Sequence, residues 1–119
     1  MDKIYIILVN YNSIEHTLEC LQSIKDCEDV VTFNIVVDNA SCEKVELEGV
    51  DCFIQLPDNK GFAGANNIGI KYALAQDDCS HIMLLNNDTA LEPDTLQHLL
   101  QSSRKEPKVI WGCKLINYY

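Results

Sequence analysis

His81-Ile82-Met83-Leu84-Leu85-Asn86-Asn87-Asp88-Thr89 is the stretch whose reading decides the fold. An apolar run leads straight into a polar, acidic tip. The run reads as a buried strand and the tip as its carboxyl end. Open α/β sheets bind their ligands at that end of their strands. Asn86 and Asp88 would then face a ligand. A carboxylate placed there is a natural anchor for a divalent cation beside a diphosphate. The four residues from Asn86 to Thr89 also suit a simple turn or a helix start. The rest of the chain has to decide between these readings.

Working outward, Ile4-Tyr5-Ile6-Ile7-Leu8-Val9 is a near-continuous apolar run, the mark of a central parallel strand. Asn10-Tyr11-Asn12 ends it, and Asn12 with Glu15 has the spacing of a capping box. Ile14, Leu18, Leu21 and Ile24 then share one helical face. Phe33 to Val37 reads as a second buried strand ending in Asp38-Asn39-Ala40-Ser41, and Asp51 to Gln55 as a short third. Leu56 to Gly61 has loop chemistry, and Gly64 to Ala75 predicts a helix. Pro93 suits the first turn of another helix, with Leu96, Leu99 and Leu100 inward. Val109 to Ile116 predicts a final strand. The order β-α-β-β-α-β-α-β implies an α/β fold with a mostly parallel sheet flanked by helices.

The chain has 119 residues, enough for one domain with a core that needs no staples. No apolar run approaches the roughly 18 residues of a membrane span. Met1-Asp2-Lys3 leads directly into the first strand, so no signal peptide is expected. The predicted location is cytoplasmic, with the full-length protein peripheral at the inner membrane. With 18 Asp+Glu against 9 Lys+Arg the formal charge is -9, which argues against a nucleic-acid partner. Six cysteines include no C-x-x-C pair, and with three histidines no zinc spacing appears. Cys52 and Cys113 lie in strand-like runs and read as small core residues.

Three predicted strands end in polar tips: Asn10-Tyr11-Asn12, Asp38-Asn39 and Asn86-Asn87-Asp88. In a parallel sheet they lie at one edge. Tyr11 could stack on a base, Asp38 accept from a base N–H, and Asp88 hold a cation across two phosphates. A packed loop aromatic and an Asx turn are the plainer readings of Tyr11 and Asp38. Asn59-Lys60-Gly61-Phe62-Ala63-Gly64-Ala65-Asn66-Asn67-Ile68-Gly69 is the other unusual stretch. Gly61 and Gly64 would allow close backbone approach to a ligand before a helix N-terminus that favours anions. It is not a P-loop, because Ile70 separates Gly69 from Lys71 and no Ser/Thr follows. The plainer reading is a flexible loop, with Gly69 permitting close helix packing.

Taken together and in order, Val9-Asn10-Tyr11-Asn12, Val37-Asp38-Asn39-Ala40-Ser41, Asn59 to Gly69 and Leu84 to Thr89 resemble the amino-terminal half of a family 2 glycosyltransferase. The resemblance spans essentially all of residues 1–119 and implies a Rossmann-like GT-A domain that binds a nucleoside-diphosphate sugar, in truncated form. The Asn-Asn-Asp-Thr version looks most like the rhamnosyltransferase-like branch. By the resemblance, Tyr11 matches the residue that packs on the base. Asp38 matches the carboxylate that reads uracil or thymine. Asp88 matches the metal ligand of a D-x-D motif, for Mn²⁺ or Mg²⁺. Asn86 stands where the first acid would be, and Asn66 where many members carry an Arg. Asn10, Asn12, Asn39, Lys60, Gly61, Gly64, Asn67 and Asn87 complete the expected donor-binding set. The donor would be UDP- or dTDP-linked and the acceptor a glycan or lipid-linked hydroxyl. The family's catalytic base lies beyond the last strand. This chain is therefore expected to lack it, as an excised domain or a naturally short protein.

Two other classes remain. A signalling receiver domain fits the length and acidity. It needs an acid pair after the first strand and an Asp after the third, where this chain has Asn10-Tyr11-Asn12 and Gln55-Leu56. A non-catalytic nucleotide-binding or assembly domain of the same fold draws support from the amide at Asn86.

Overall fold

The structure is a computed structural model that describes residues 2–114. Its elements are β1 (Lys3–Asn10), α1 (Ile14–Lys25), β2 (Val31–Asp38), β3 (Cys52–Gln55), α2 (Gly61–Leu74), β4 (His81–Leu84) and α3 (Thr95–Lys105). The four strands form one sheet in the order β3-β2-β1-β4. Every pairing is parallel. The chain builds outward from β1 through β2 to β3, and α2 then carries it back to β4 on the far side of β1. The strand order therefore reverses between β1 and β4, where a doubly wound sheet opens a crevice.

The alternation of β1 divides the core in two. Ile4, Ile6 and Leu8 face α1 and α3 and pack with Cys20, Leu21, Ile24, Leu96 and Leu100. Tyr5 and Ile7 face α2 and pack with Ile35, Val37, Ala65 and Ala73. Burying a side chain of this size contributes roughly 1.5–3 kcal/mol, so the run from Ile4 to Val9 is central because both its faces are covered. At the opposite end of the strands, Tyr5 donates its hydroxyl to Asp78.

Gly69 sets the height of α2 above the sheet. A Cβ there would lie 2.6 Å from Ile7 Cγ2, closer than real contacts allow. Gly69→Ala is expected to destabilise the fold by about 1–3 kcal/mol through overpacking. Thermal unfolding checks this, and an unchanged midpoint would count against so tight a contact.

Several expectations are corrected. The run from His81 to Leu85 is an edge strand, with Ile82 and Leu84 exposed on one face, because no strand pairs its outer side among the described residues. α1 buries Thr17, Cys20, Leu21 and Ile24 and leaves Leu18 48% exposed. Both sets have helical spacing; the bond from Thr17 Oγ1 to Asn10 Oδ1 selects this rotation. Asn12 does not cap α1. It sits at φ 51°, its Oδ1 accepts from the Cys42 N–H, and the cap position belongs to Ser13. α2 begins at Gly61 rather than Gly64, and α3 begins two residues after Pro93. Cys52 is half-buried and Cys113 exposed; the buried cysteine is Cys20. Residues 109–114 form no strand and are exposed, and residues 115–116 of that predicted strand lie outside the described residues. Apolar composition alone makes no ladder without a neighbour to pair with.

Candidate functional site

The tips of β1 and β4 flank the crevice at the strand reversal. An open cleft of about 400 Å³ lies there, lined by Val9, Tyr11, Ser13, Asn39, Asn59, Phe62, Asn86, Asn87 and Asp88. The structure thus brings Tyr11 and the Asn86–Asp88 tip to one cavity, together with Asn39. Tyr11 is 48% exposed, so its ring is free to receive a flat ligand. Asn86 to Thr89 is also a tight turn: the Thr89 N–H and hydroxyl both donate to the Asn86 carbonyl, at 3.3 and 2.7 Å. The turn reading of this tetrapeptide therefore holds, and the turn presents Asp88 to solvent.

Beneath the cleft runs a buried polar network. Asn87 Nδ2 donates to Ser13 Oγ (2.7 Å) and to Thr17 Oγ1 (3.0 Å). Thr17 Oγ1 donates to Asn10 Oδ1 at 2.6 Å, and Asn10 Nδ2 donates to Asp38 Oδ1 at 2.9 Å. Ser41 gives its hydroxyl to Asp38 Oδ1 (2.6 Å) and its N–H to Oδ2 (3.0 Å), and Gln55 Nε2 reaches Oδ2 at 2.7 Å. Each link fixes a strand tip against its neighbour, from β4 through α1 and β1 to β2 and β3. Burial pushes the Asp38 carboxyl up, but the bonds from Ser41, Asn10 and Gln55 outweigh it and hold it below the ordinary carboxylate range.

The expected donor-binding residues therefore divide. Tyr11, Asn86 and Asp88 are exposed at the cleft. Asn10 and Asp38 are buried, and their polar atoms serve the network. Asn39 is buried too: its Oδ1 accepts from the Lys60 N–H and its Nδ2 donates to the Gly61 carbonyl, pinning the entry to α2. Asn66 is buried and turns its amide onto the Phe62 carbonyl. Asn67 is exposed on α2, and Lys60 Nζ pairs with Asp58 at 2.7 Å. The glycines have local duties. Gly61 stands at φ 75°, a conformation that strains other residues, and a Cβ at Gly64 would meet Lys60 Cβ at 2.9 Å. Thr17, Ser13, Ser41 and Gln55 were not legible as site residues, because nothing in their sequence context marks which face of a helix or strand end meets a buried carboxylate.

No group of three or more His, Cys, Asp or Glu side chains that could hold a metal occurs among the described residues. One carboxylate and its neighbouring amides make no cage for a hard cation. They do fit the mode in which one protein carboxylate and substrate phosphates share the ion with water.

Cys20 supports the turn from below, its Sγ 3.8 Å from the Asn86 carbonyl oxygen and 4.0 Å from Thr89 Oγ1. Burial pushes its thiol up from 9.0 to about 11. The unfolded chain loses this proton first, so the stabilisation is complete below pH 9 and disappears as pH rises towards 11. A loss of about 2–3 kcal/mol is expected across that window. Cys27 and Cys79, also raised by burial, add to it with the same sign. Urea unfolding at the two ends of the window measures it, with Cys20→Ala as the control that flattens the slope.

Comparison with known proteins accords with this geometry. The sequence model of the family described as glycosyl transferase family 2 matches residues 5–118. The low-salt glycan biosynthesis hexosyltransferase Agl10 of Haloferax volcanii is 28% identical over 106 residues, covering 83% of this chain and 32% of that protein. The crystal structure of S. aureus TarS 1-349 superposes with a TM-score of 0.73 at 19% identity, over 88% of this chain and 33% of that one. The same TarS fragment in complex with UDP-GlcNAc also gives 0.73, at 19% identity over 88% of this chain and 32% of that one. Its complex with UDP gives 0.72, at 19% identity over 88% and 33%. At this identity the likeness is one of fold. The chain spans about a third of the length of these relatives.

Proposed function

Because this chain belongs to glycosyltransferase family 2, we propose that it binds a nucleoside-diphosphate sugar in the cleft between β1 and β4. It would then serve as the donor-binding part of an inverting transfer to a hydroxyl acceptor. The observation that carries this is the meeting of Tyr11 and the Asn86–Asp88 turn around one open cavity at the strand reversal. Tyr11 offers a stacking face for the base. Asp88 and the neighbouring amide oxygens would hold a divalent cation, Mn²⁺ or Mg²⁺, in company with the diphosphate. Such an ion offsets the charge that develops on a departing nucleoside diphosphate. Asn86 contributes a neutral hydrogen bond where an acid would otherwise repel the phosphates. The buried network keeps the two halves of the cleft in register, so ligand binding needs little reordering.

UDP and dTDP are the nucleotides favoured here. Membership of the rhamnosyltransferase-like branch is the finer reading, supported by the Asn-Asn-Asp-Thr form of the turn. The acceptor would be a glycan or a lipid-linked hydroxyl. No helix among the described residues is long and apolar enough to cross a membrane. Calorimetric titration with UDP and dTDP, each with Mn²⁺ and with EDTA, tests the proposal. Metal-dependent binding supports it. No binding by folded protein with metal present points instead to an assembly role for this domain.

A further inference from the structure

A hydroxyl has one proton to give and a carboxylate has none, which fixes the direction of the bonds beneath the cleft. Asp38 can only accept, so Asn10 turns its Nδ2 to Asp38 Oδ1, at 2.9 Å, and its Oδ1 to Thr17. Thr17 then gives its proton to Asn10 Oδ1 at 2.6 Å, nearer than the Ser13 carbonyl at 3.5 Å. Its oxygen is left as an acceptor, and it accepts from Asn87 Nδ2 at 3.0 Å. The other Nδ2 proton goes to Ser13 Oγ at 2.7 Å. Asp38, Asn10 and Thr17 are fully buried, so solvent offers none of them another partner. The Asn87 amide therefore turns its nitrogen inward and its oxygen outward. No donor among the described residues reaches that Oδ1. Among the same residues, the one buried side-chain polar atom without a partner is Asn34 Oδ1. Asn87 Oδ1 is thus open to solvent, in a residue that lines the cleft beside Asp88.

We infer that Thr17 is a positioning residue for the cation end of the cleft: by accepting from Asn87 Nδ2 it keeps Asn87 Oδ1 turned outward, as a second protein oxygen for the ion beside Asp88. The inference rests on the nucleotide and metal reading above. An amide oxygen carries the negative end of its dipole and ligates hard cations, whereas an NH₂ group repels them. Which end faces the cleft is set from β2, through the bonds from Asn10 to Asp38, Thr17 to Asn10 and Asn87 to Thr17. Without the Thr17 hydroxyl, one Nδ2 proton would face an apolar surface unpaired. The amide would then turn over, accept from the Ser13 hydroxyl and show its NH₂ to the cleft. Outer partners that orient a ligand in this way govern metal affinity without touching the ion.

The experiment is a calorimetric titration of UDP, with Mn²⁺ and with EDTA, on the wild type, Thr17→Val and Thr17→Ser. The ratio of the two affinities is the gain that the metal confers. Thr17→Val keeps the shape and loses the hydroxyl, whereas Thr17→Ser keeps the hydroxyl. The gain is expected to fall about tenfold in Thr17→Val. In Thr17→Ser it is expected to stay within about twofold of the wild type. A hydroxyl that serves stability alone would lower the melting temperature of Thr17→Val and leave the gain intact, and that result overturns the inference. An equal fall in both variants overturns it too. A wild type that binds UDP with no gain from metal, or not at all, defeats the nucleotide and metal reading itself, and the inference with it. If Thr17→Val does not fold, the side-chain carbonyl carbon resonance of Asn87 in the wild type decides. A shift with UDP and Mg²⁺ that is missing with UDP and EDTA supports the assignment; no shift with UDP and Mg²⁺ refutes it.

Discussion

Asp38→Asn is expected to destabilise the protein by about 3–5 kcal/mol, a large part of the 5–15 kcal/mol that holds a domain of this size together. The carboxylate is fully buried, and no cation stands against it among its hydrogen-bond partners; hydrogen-bond donors alone keep it charged. Hydrogen bonds to a charged acceptor are worth about 1.5–3 kcal/mol each. The substituted amide turns one end of that acceptor into a donor and sets it against the Ser41 N–H. The Ser41 N–H then loses its acceptor, whereas the exposed Gln55 amide can turn its own oxygen to the new donor. The acid limb should change as well. Since the folded carboxyl is held below its ordinary value, its stabilisation is present above the unfolded value of 3.8 and fades as pH falls through the folded one. The variant should lose that part of the acid dependence. Urea unfolding from neutral to acid pH measures both effects, and a variant within about 1 kcal/mol of the wild type would show that the network is incidental.

Asp88→Ala should leave stability untouched and remove the gain in nucleotide affinity that Mn²⁺ confers, a loss of about 100-fold. Asp88 is exposed at the tip of its turn and bonds to none of the described residues, so the fold does not depend on it. A lone carboxylate holds a hard cation weakly, but the diphosphate brings the remaining oxygens. Affinity in EDTA should be the same for wild type and variant. The informative result is therefore a difference between two titrations rather than either alone. Unchanged affinity with Mn²⁺ present would remove Asp88 from the role of metal ligand and favour a domain that keeps the fold without the ion.

How much of this was legible in the sequence depended on whether the signal was local. The run from Ile4 to Val9 is apolar on both faces, and a strand covered on both faces is central; it is central here. Gly69 read as a close-packing residue, and it lies on Ile7. The polar strand tips read as the ligand edge, and the tips of β1 and β4 do line one cleft. The errors arose where a pattern admits two solutions. Leu18 and Thr17 both fit a helical face, and only the bond to Asn10 selects between them. The runs from His81 and from Val109 are both apolar, yet one pairs on a single side and the other, over residues 109–114, on neither.

The amino-acid sequence by itself determined the parallel α/β layering, the polar edge of the sheet and the family, because periodicity and motif order are properties of neighbours along the chain. Only the tertiary structure decided which polar residues at that edge line the open cleft and which bond to one another. Asp38, Asn10 and Asn39 look as available in the sequence as Tyr11 and Asp88. A buried carboxylate must gather donors, and these come from Ser41 and Gln55 as well as Asn10, residues brought together by parallel pairing across β1, β2 and β3. That demand engages the side chains of Asp38 and Asn10 with one another, while Asn39 pins the entry to α2 and also lines the cleft.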